Sequence, residues 1–317
     1  MSIMAKRTQR SQRAPHAHNK PSVAQHLRSQ STRPPPLVDP RWLLKALGLV
    51  FALAVIFTYV TLCFLYAQGQ WQLVLHPSRG ITATPASLGL RFTEVHFADA
   101  ASGQPQLDGW WIPADPANPA GATALMLHSG DGSMSNALPR ALTLHNEHLN
   151  VLLFDYRGYG RSTGRHPVES TMQADSASAL AFLTFTQHIA PPDIVVYASG
   201  VAAALAVQLA ATHPEIPALI LDAPDGDFAQ RARTDPRSRL IATRWFFNQT
   251  FPLADPLHTL ATPKLLLSYT TASKPPLALQ RAADPKMTIE VASPNDPAVQ
   301  TGIHRFLDLY LTHRSTF

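Results

Sequence analysis

The sequence predicts an α/β fold, in which a mostly parallel sheet is covered by helices on both faces and is preceded by one N-terminal transmembrane helix. Short runs rich in β-branched and aromatic residues alternate with helical patterns from residue 91 to residue 311. The central runs are almost continuously apolar, which is typical of parallel strands buried on both faces. Ahead of them, residues 46–67 are uncharged and would span about 33 Å as a helix, against a hydrocarbon core of about 30 Å.

Charge is concentrated at the start of the chain. Residues 1–45 hold nine basic side chains and one acid, whereas the formal net charge of the whole chain is only +5. The rest is therefore slightly acidic, and no basic face for nucleic acid is needed to explain the balance. Residues 1–41 also lack apolar periodicity and contain three consecutive prolines, so we expect a disordered basic tail there.

Residues 42–68 are predicted to be the membrane anchor. Trp42 lies at one end of the span and Tyr66 and Trp71 lie at the other, which is typical of side chains at the two membrane interfaces. Because the basic residues precede the span, we expect a cytoplasmic N-terminus and a periplasmic or extracellular C-terminal domain. A buried core helix and a cleaved signal peptide are the alternatives, but this apolar run is longer than a usual signal peptide and no small-residue cleavage site follows it.

The folded part, residues 69–317, is predicted to be one domain with eight strands. We place the strands at 91–97, 107–112, 123–127, 151–154, 194–197, 218–221, 264–268 and 287–291. Helical patterns occupy 171–187, 201–213 and 303–311.

The most specific motif is VLLFDYRGYGRSTG at 151–164, a buried strand that runs into a glycine-punctuated loop. Together with LVLHP at 73–77, LDGWWIP at 107–113, LHSGDG at 127–132 and LDAP at 221–224, it resembles the membrane-tethered, serine aminopeptidase-like branch of the α/β-hydrolase superfamily. The resemblance covers about 70–310 and implies the α/β-hydrolase fold. Single polar residues in these motifs, Asp155, Arg157 and His128, are more simply interpreted as loop ties than as catalytic groups.

The resemblance also implies a Gly-x-Ser-x-Gly nucleophile turn, and this chain departs from the pattern. Alignment of the apolar strand and the alanine-rich helix start places Gly200 at the nucleophile, while Ser199 lies one position early. The acid position falls on Ala272 and the base position falls on Pro294. We therefore predict a degenerate triad without turnover. This is the pattern of a pseudoenzyme.

Backbone groups need no particular side chain, so the implied oxyanion-type donors remain at Ser129, Gly130 and Val201. The leading hypothesis is a degenerate hydrolase-fold protein that binds a carbonyl, carboxylate or phosphate ligand, or a partner, at the cell envelope. The alternative is an active serine hydrolase on ester, amide or thioester bonds, with Ser199 as nucleophile and an unrecognised acid and base. The acids considered for it are Asp222, Asp225 and Asp227, whereas His304 is expected on a helix surface. A purely structural membrane protein is the third hypothesis.

Other chemistries find little support in the sequence. The single cysteine, the scattered histidines and the lack of nucleotide-binding motifs predict no metal and no cofactor. Between the sixth and seventh strands, five arginines precede an aromatic run at 245–247, which indicates either a solvated helix face or contact with anionic lipid headgroups. These arginines are Arg231, Arg233, Arg237, Arg239 and Arg244.

Overall fold

The computed structural model describes residues 39–98, 103–117, 121–229, 247–270 and 277–311. The chain forms two units, Met1–Phe57 and Thr58–Phe317. The predicted tail lies outside the described residues up to position 38, and so do the five arginines, Ala272 and the last six residues.

Helix α1, Pro40–Gly69, begins the described part of the chain. Its 30 residues correspond to about 45 Å, and within the described residues it is the helix long and apolar enough to cross a membrane. Its large apolar side chains are exposed, for example Phe57 at 74%. This exposure disfavours the alternative of a buried core helix, because a core helix would have those side chains covered by protein. Helix α1 is therefore a candidate membrane span.

Eight strands form the main sheet in the second unit. They are β1 Thr93–Ala98, β2 Pro105–Ile112, β3 Thr123–Leu127, β4 Asn150–Phe154, β5 Ile194–Ser199, β6 Leu219–Asp222, β7 Lys264–Tyr269 and β8 Lys286–Val291. Their order is β8-β7-β6-β5-β3-β4-β2-β1. Strand β2 is antiparallel to both of its neighbours, and the other pairs are parallel. The predicted fold class, a mostly parallel sheet, is confirmed.

Helices cover both faces of this sheet. After α1 they are α2 Leu138–Asn146, α3 Glu169–Ala181, α4 Ala202–Thr212, α5 Ala254–Thr259, α6 Leu277–Gln280 and α7 Pro297–Tyr310. Helices α2 and α7 pack in one core layer, while α3, α4 and α5 pack in the other. Alternate residues of each strand point to opposite layers, so Met126 joins the first layer and Leu125 the second.

Some helices differ from the predicted ones, and the short helices α5 and α6 were not predicted. Helix α2 was not predicted, because Pro139, Arg140 and His145 interrupt its apolar pattern. The helix predicted at 171–187 ends at Ala181 and continues as a π-helical turn. Helix α7 begins well before residue 303, since the Asp296 side chain accepts a hydrogen bond from the Ala298 N–H at 2.9 Å and caps it.

Strands β5, β6, β7 and β8 are parallel, so their carboxyl ends lie along one edge of the sheet. The loops that carry the positions implied by the hydrolase resemblance leave from this edge. In open parallel sheets, ligands bind in the crevice outside these strand ends.

Candidate functional site

A tight turn joins β5 to α4, and Gly200 lies at its apex. Gly200 has φ +56°, in the left-handed region that favours glycine. Its N–H donates to the Asp222 carbonyl at 2.9 Å, and its own carbonyl accepts from the Asp225 N–H at 3.0 Å. The turn is thus held from both sides by the loop after β6. At the position that the resemblance assigns to the nucleophile, the chain carries no side chain.

The loop after β3 contacts this turn. A Cβ placed on Gly200 would lie 3.3 Å from the Ser129 Cβ, and one placed on Gly130 would lie 3.0 Å from the Val201 side chain. Within the described residues, the N–H groups of Ser129, Gly130 and Val201 donate to no protein acceptor. The three backbone donors implied by the resemblance therefore lie on two segments in contact with each other.

The hydroxyls of two buried tyrosines in the loop after β4 hold the loop after β3 in place. Tyr159 donates to the Gly130 carbonyl at 2.9 Å, and Tyr156 donates to the His128 carbonyl at 3.3 Å. The His128 Nδ1 lies 2.8 Å from the Ser129 carbonyl. Burial raises the pKa of Tyr156 well above its ordinary value, so its hydroxyl keeps its proton and remains a donor. His128 positions this loop and is itself almost fully buried.

The residues of the glycine-punctuated loop also act as ties. The buried Asp155 accepts from the Met134 N–H at 2.7 Å. Arg157 donates from Nε to Asp175 at 2.6 Å, which joins the loop to helix α3. Arg79 donates to the carbonyls of Ser162 and Gly164 at 2.6 and 2.5 Å. These contacts hold the backbone of the loop, so Asp155 and Arg157 act as structural ties.

A cleft of about 660 Å³ lies at the carboxyl ends of β5 and β6, between the starts of α2 and α7. Ser199 and Asp222 form part of its floor, and Pro294 lies on its rim. The other lining residues are Asn136, Ala137, Pro139, Arg140, Thr143, Tyr197, Asn295, Asp296, Pro297, Val299 and Gln300. The cleft therefore brings Ser199 and the loop after β8 together.

A charged network occupies the floor of this cleft. Asp222 forms an ion pair with the Arg140 guanidinium at 2.9 Å, and it accepts from the Tyr197 hydroxyl at 2.5 Å and from the Tyr269 hydroxyl. Arg140 also donates to the Tyr269 hydroxyl at 3.1 Å and to the Pro294 carbonyl at 3.3 Å. The network joins the ends of β5, β6 and β7 to the loop after β8 and to α2.

The protonation state of this network is set by burial and by the carboxylate. Burial, followed by the nearby Asp222 charge, raises the pKa of Tyr197 well above its ordinary value and also raises that of Tyr269. Burial alone would lower the pKa of Arg140, but the neighbouring Tyr197, Asp222 and Tyr269 together raise it. Both phenols thus remain donors, and the two oxygens of Asp222 already accept from them.

The other acids of the alternative mechanism are also engaged elsewhere. Asp227 accepts from the N–H groups of Leu253 and Ala254 at 3.0 and 3.1 Å, at the start of α5. The Asp225 carboxylate accepts from the Gly226 N–H at 2.9 Å.

No histidine lines the cleft within the described residues. The internal segments 230–246 and 271–276, which the structure does not describe, contain no histidine in the sequence. His304 is exposed on α7, where its Nδ1 lies 2.8 Å from Glu147. The residue lines a different cavity. Ala272, the position implied for the acid, lies outside the described residues.

Arg140 and Tyr197 are site residues that the sequence analysis missed. Arg140 is a lone basic residue in an otherwise mostly apolar helix, and Tyr197 is the single hydroxyl in a run of buried aliphatic residues. Those two irregularities were the available signals. Neither indicates that the two side chains meet at Asp222, because the contact depends on which strand ends are neighbours in the sheet.

Comparison with known proteins identifies relatives over most of the chain. No family model matches it. An uncharacterised protein of Mycobacterium tuberculosis is 29% identical over 280 residues, which cover 83% of this chain and 95% of that protein. Protein bem46 of Schizosaccharomyces pombe is 30% identical over 173 residues, which cover 52% of this chain and 56% of bem46.

Among solved structures, an esterase of Pyrococcus furiosus has a similar fold. It gives a TM-score of 0.58 at 18% sequence identity, covering 75% of this chain and 98% of the esterase. The domain after the candidate membrane span therefore has the α/β-hydrolase fold, and its relatives in sequence include bem46.

Proposed function

We propose that this chain is a membrane-anchored α/β-hydrolase-fold protein whose cleft binds a ligand or partner without hydrolysing it. The observation that carries the proposal is Gly200 at the apex of the turn between β5 and α4. A glycine there offers no hydroxyl or thiol, and covalent catalysis by this fold needs a nucleophile on that turn.

The neighbouring serine does not replace the missing group. A serine hydroxyl is a weak nucleophile unless an adjacent base accepts its proton. Ser199 makes no hydrogen bond through its hydroxyl within the described residues, and the carboxylate closest along the sheet, Asp222, is committed to Arg140 and two phenols. The proposal thus rests on the missing base as well as on the missing nucleophile.

The turn between β5 and α4 keeps features that suit binding, at residues next to Ser199 rather than among those that line the cleft. The backbone donors at Ser129, Gly130 and Val201 lie in contact across the turn. Removal of triad residues in an active hydrolase leaves binding and part of the electrostatic stabilisation in place. A binding role therefore needs no group that the chain lacks.

An active serine hydrolase that uses Ser199 is the second candidate function. Ser199 lines the same cleft as Asp222, which is the observation in its favour. The fold is also shared with an esterase of Pyrococcus furiosus.

The test is turnover of p-nitrophenyl acetate and butyrate, with labelling by a fluorophosphonate, using the full-length chain in detergent. We expect no turnover above background and no label. Ser199→Ala is compared with Ser293→Ala, a matched change at an exposed serine in the loop after β8. Activity or labelling that is lost in Ser199→Ala and kept in Ser293→Ala would establish the hydrolase instead.

We further propose that the N-terminus is cytoplasmic and that the domain lies in the periplasm or outside the cell. The nine basic residues before the span support this orientation. An alkaline phosphatase reporter fused after Phe317 is expected to be active, because it folds only outside the cytoplasm. Fluorescence of a reporter that folds only in the cytoplasm, fused at the same place, would reverse the orientation.

A further inference from the structure

The chemistry of the cleft is restricted first by how Arg140 is held. A single guanidinium nitrogen, Nη2, donates to the Tyr269 hydroxyl at 3.1 Å and to the Pro294 carbonyl at 3.3 Å, and it lies 2.9 Å from the Asp222 carboxylate in an ion pair. Each of the two-point forks with which arginine binds a carboxylate or phosphate includes this nitrogen. Neither fork is therefore free for a ligand.

The charge of the cleft also disfavours an anionic ligand. Arg140 is neutralised by Asp222, and a second carboxylate, Asp296, lies on the cleft lining at the start of α7. An anionic ligand would therefore meet no net positive charge from these side chains, and it would have to displace Asp222 to gain the guanidinium. Separating such a largely buried pair is strongly unfavourable, because it leaves each charge without its partner in a site that water reaches poorly.

Three polar side chains of the cleft are neutral and uncommitted. Within the described residues, the side-chain amides of Asn295 and Gln300 and the hydroxyl of Ser199 make no hydrogen bond. Each of these groups both donates and accepts, which matches the hydroxyl groups of a polyol. Between them lie the apolar surfaces of Pro294 and Pro297, against which C–H groups can pack.

We propose that this cleft binds a neutral, hydroxyl-rich ligand, specifically a saccharide, an assignment that rests on the proposed non-hydrolytic binding function. The amides of Asn295 and Gln300 and the hydroxyl of Ser199 would bond the sugar hydroxyls, and the prolines would contact the apolar face of the sugar. The volume of about 660 Å³ lies within the range of about 300–1,000 Å³ typical of small-molecule sites.

The test uses the full-length chain in a detergent without a sugar headgroup, observed by saturation-transfer NMR. The probes are the neutral disaccharides cellobiose, maltose and N,N′-diacetylchitobiose, with glucose 6-phosphate and acetate as the anionic comparison. We expect saturation transfer to at least one neutral disaccharide and none to acetate. Asn295→Ala and Gln300→Ala should each weaken binding by about 2- to 10-fold, as expected for one lost hydrogen bond.

Thr301→Ala is the matched control. Thr301 is exposed on α7, the helix that carries Gln300, and does not line the cleft. Unchanged binding in this variant supports the proposal. No transfer to any neutral disaccharide, stronger transfer to glucose 6-phosphate or acetate, or equal loss in all three variants would overturn it. These outcomes are independent of the ester assay, so the saccharide assignment can fail while the non-hydrolytic function stands.

Discussion

A side chain at position 200 is expected to destabilise the domain without creating a hydrolase. Gly200 has φ +56°, and an L-residue held in the left-handed region costs about 1–2 kcal/mol. The new Cβ would also lie 3.3 Å from the Ser129 Cβ, closer than ordinary van der Waals contact. We therefore expect Gly200→Ser to lower the free energy of unfolding by about 1–3 kcal/mol.

A second glycine separates the two contributions. Gly89 has φ +73°, and a Cβ added there would meet nothing within 4 Å. Gly89→Ala thus reports the backbone cost alone, and Gly200→Ala should cost more by the packing part. Ser129→Gly should relieve that part in the double variant with Gly200→Ala, giving a favourable coupling of at least about 0.5 kcal/mol, as seen for residues in contact.

Thermal unfolding of the full-length variants, followed by circular dichroism, measures these differences. In a domain of this size, 1 kcal/mol corresponds to about 2–4 °C in Tm. Gly200→Ser should also show no ester turnover, because no histidine lines the cleft within the described residues. A stabilised Gly200→Ala, additive effects at 200 and 129, or clear turnover by Gly200→Ser would refute this account of the turn.

Three further predictions concern charges around the domain. Asp222→Asn leaves Arg140 with a neutral partner in a largely buried site and should cost about 3–5 kcal/mol in thermal unfolding, whereas a shift below about 1 °C would contradict the network. His304 donates a hydrogen bond to Glu147, and this bond is the largest cause that raises the pKa of His304. The contact stabilises the fold fully below about pH 6.5 and loses its effect as pH rises through the raised pKa. His304→Gln should flatten that part of the Tm profile against pH, and an unchanged profile would exclude the contact as its source. For the arginines between 231 and 244, trypsin should cleave the chain more slowly in anionic than in neutral nanodiscs, and equal rates would contradict headgroup contact.

The strands were predictable because a strand buried on both faces needs apolar residues at successive positions, which gives a continuous apolar run in the sequence. The alignment that places Gly200 on the turn depended on two local features, an apolar strand and an alanine-rich helix start, and the structure has a left-handed glycine there. Helix α2 was not predictable in the same way, since its buried stripe is short and interrupted by Pro139 and Arg140. The network around Asp222 was beyond sequence reasoning, because its members meet only through the order of strands in the sheet.

The position of Arg140 also has an evolutionary consequence. Its guanidinium pairs with the Asp222 carboxylate and donates to the Pro294 carbonyl, so one cation ties α2 to the end of β6 and to the loop after β8. A substitution that removed the cation would leave the Asp222 carboxylate without its charged partner, so position 140 is expected to tolerate change less than an exposed position does. Selection for stability alone would therefore retain this arginine, whatever the cleft binds.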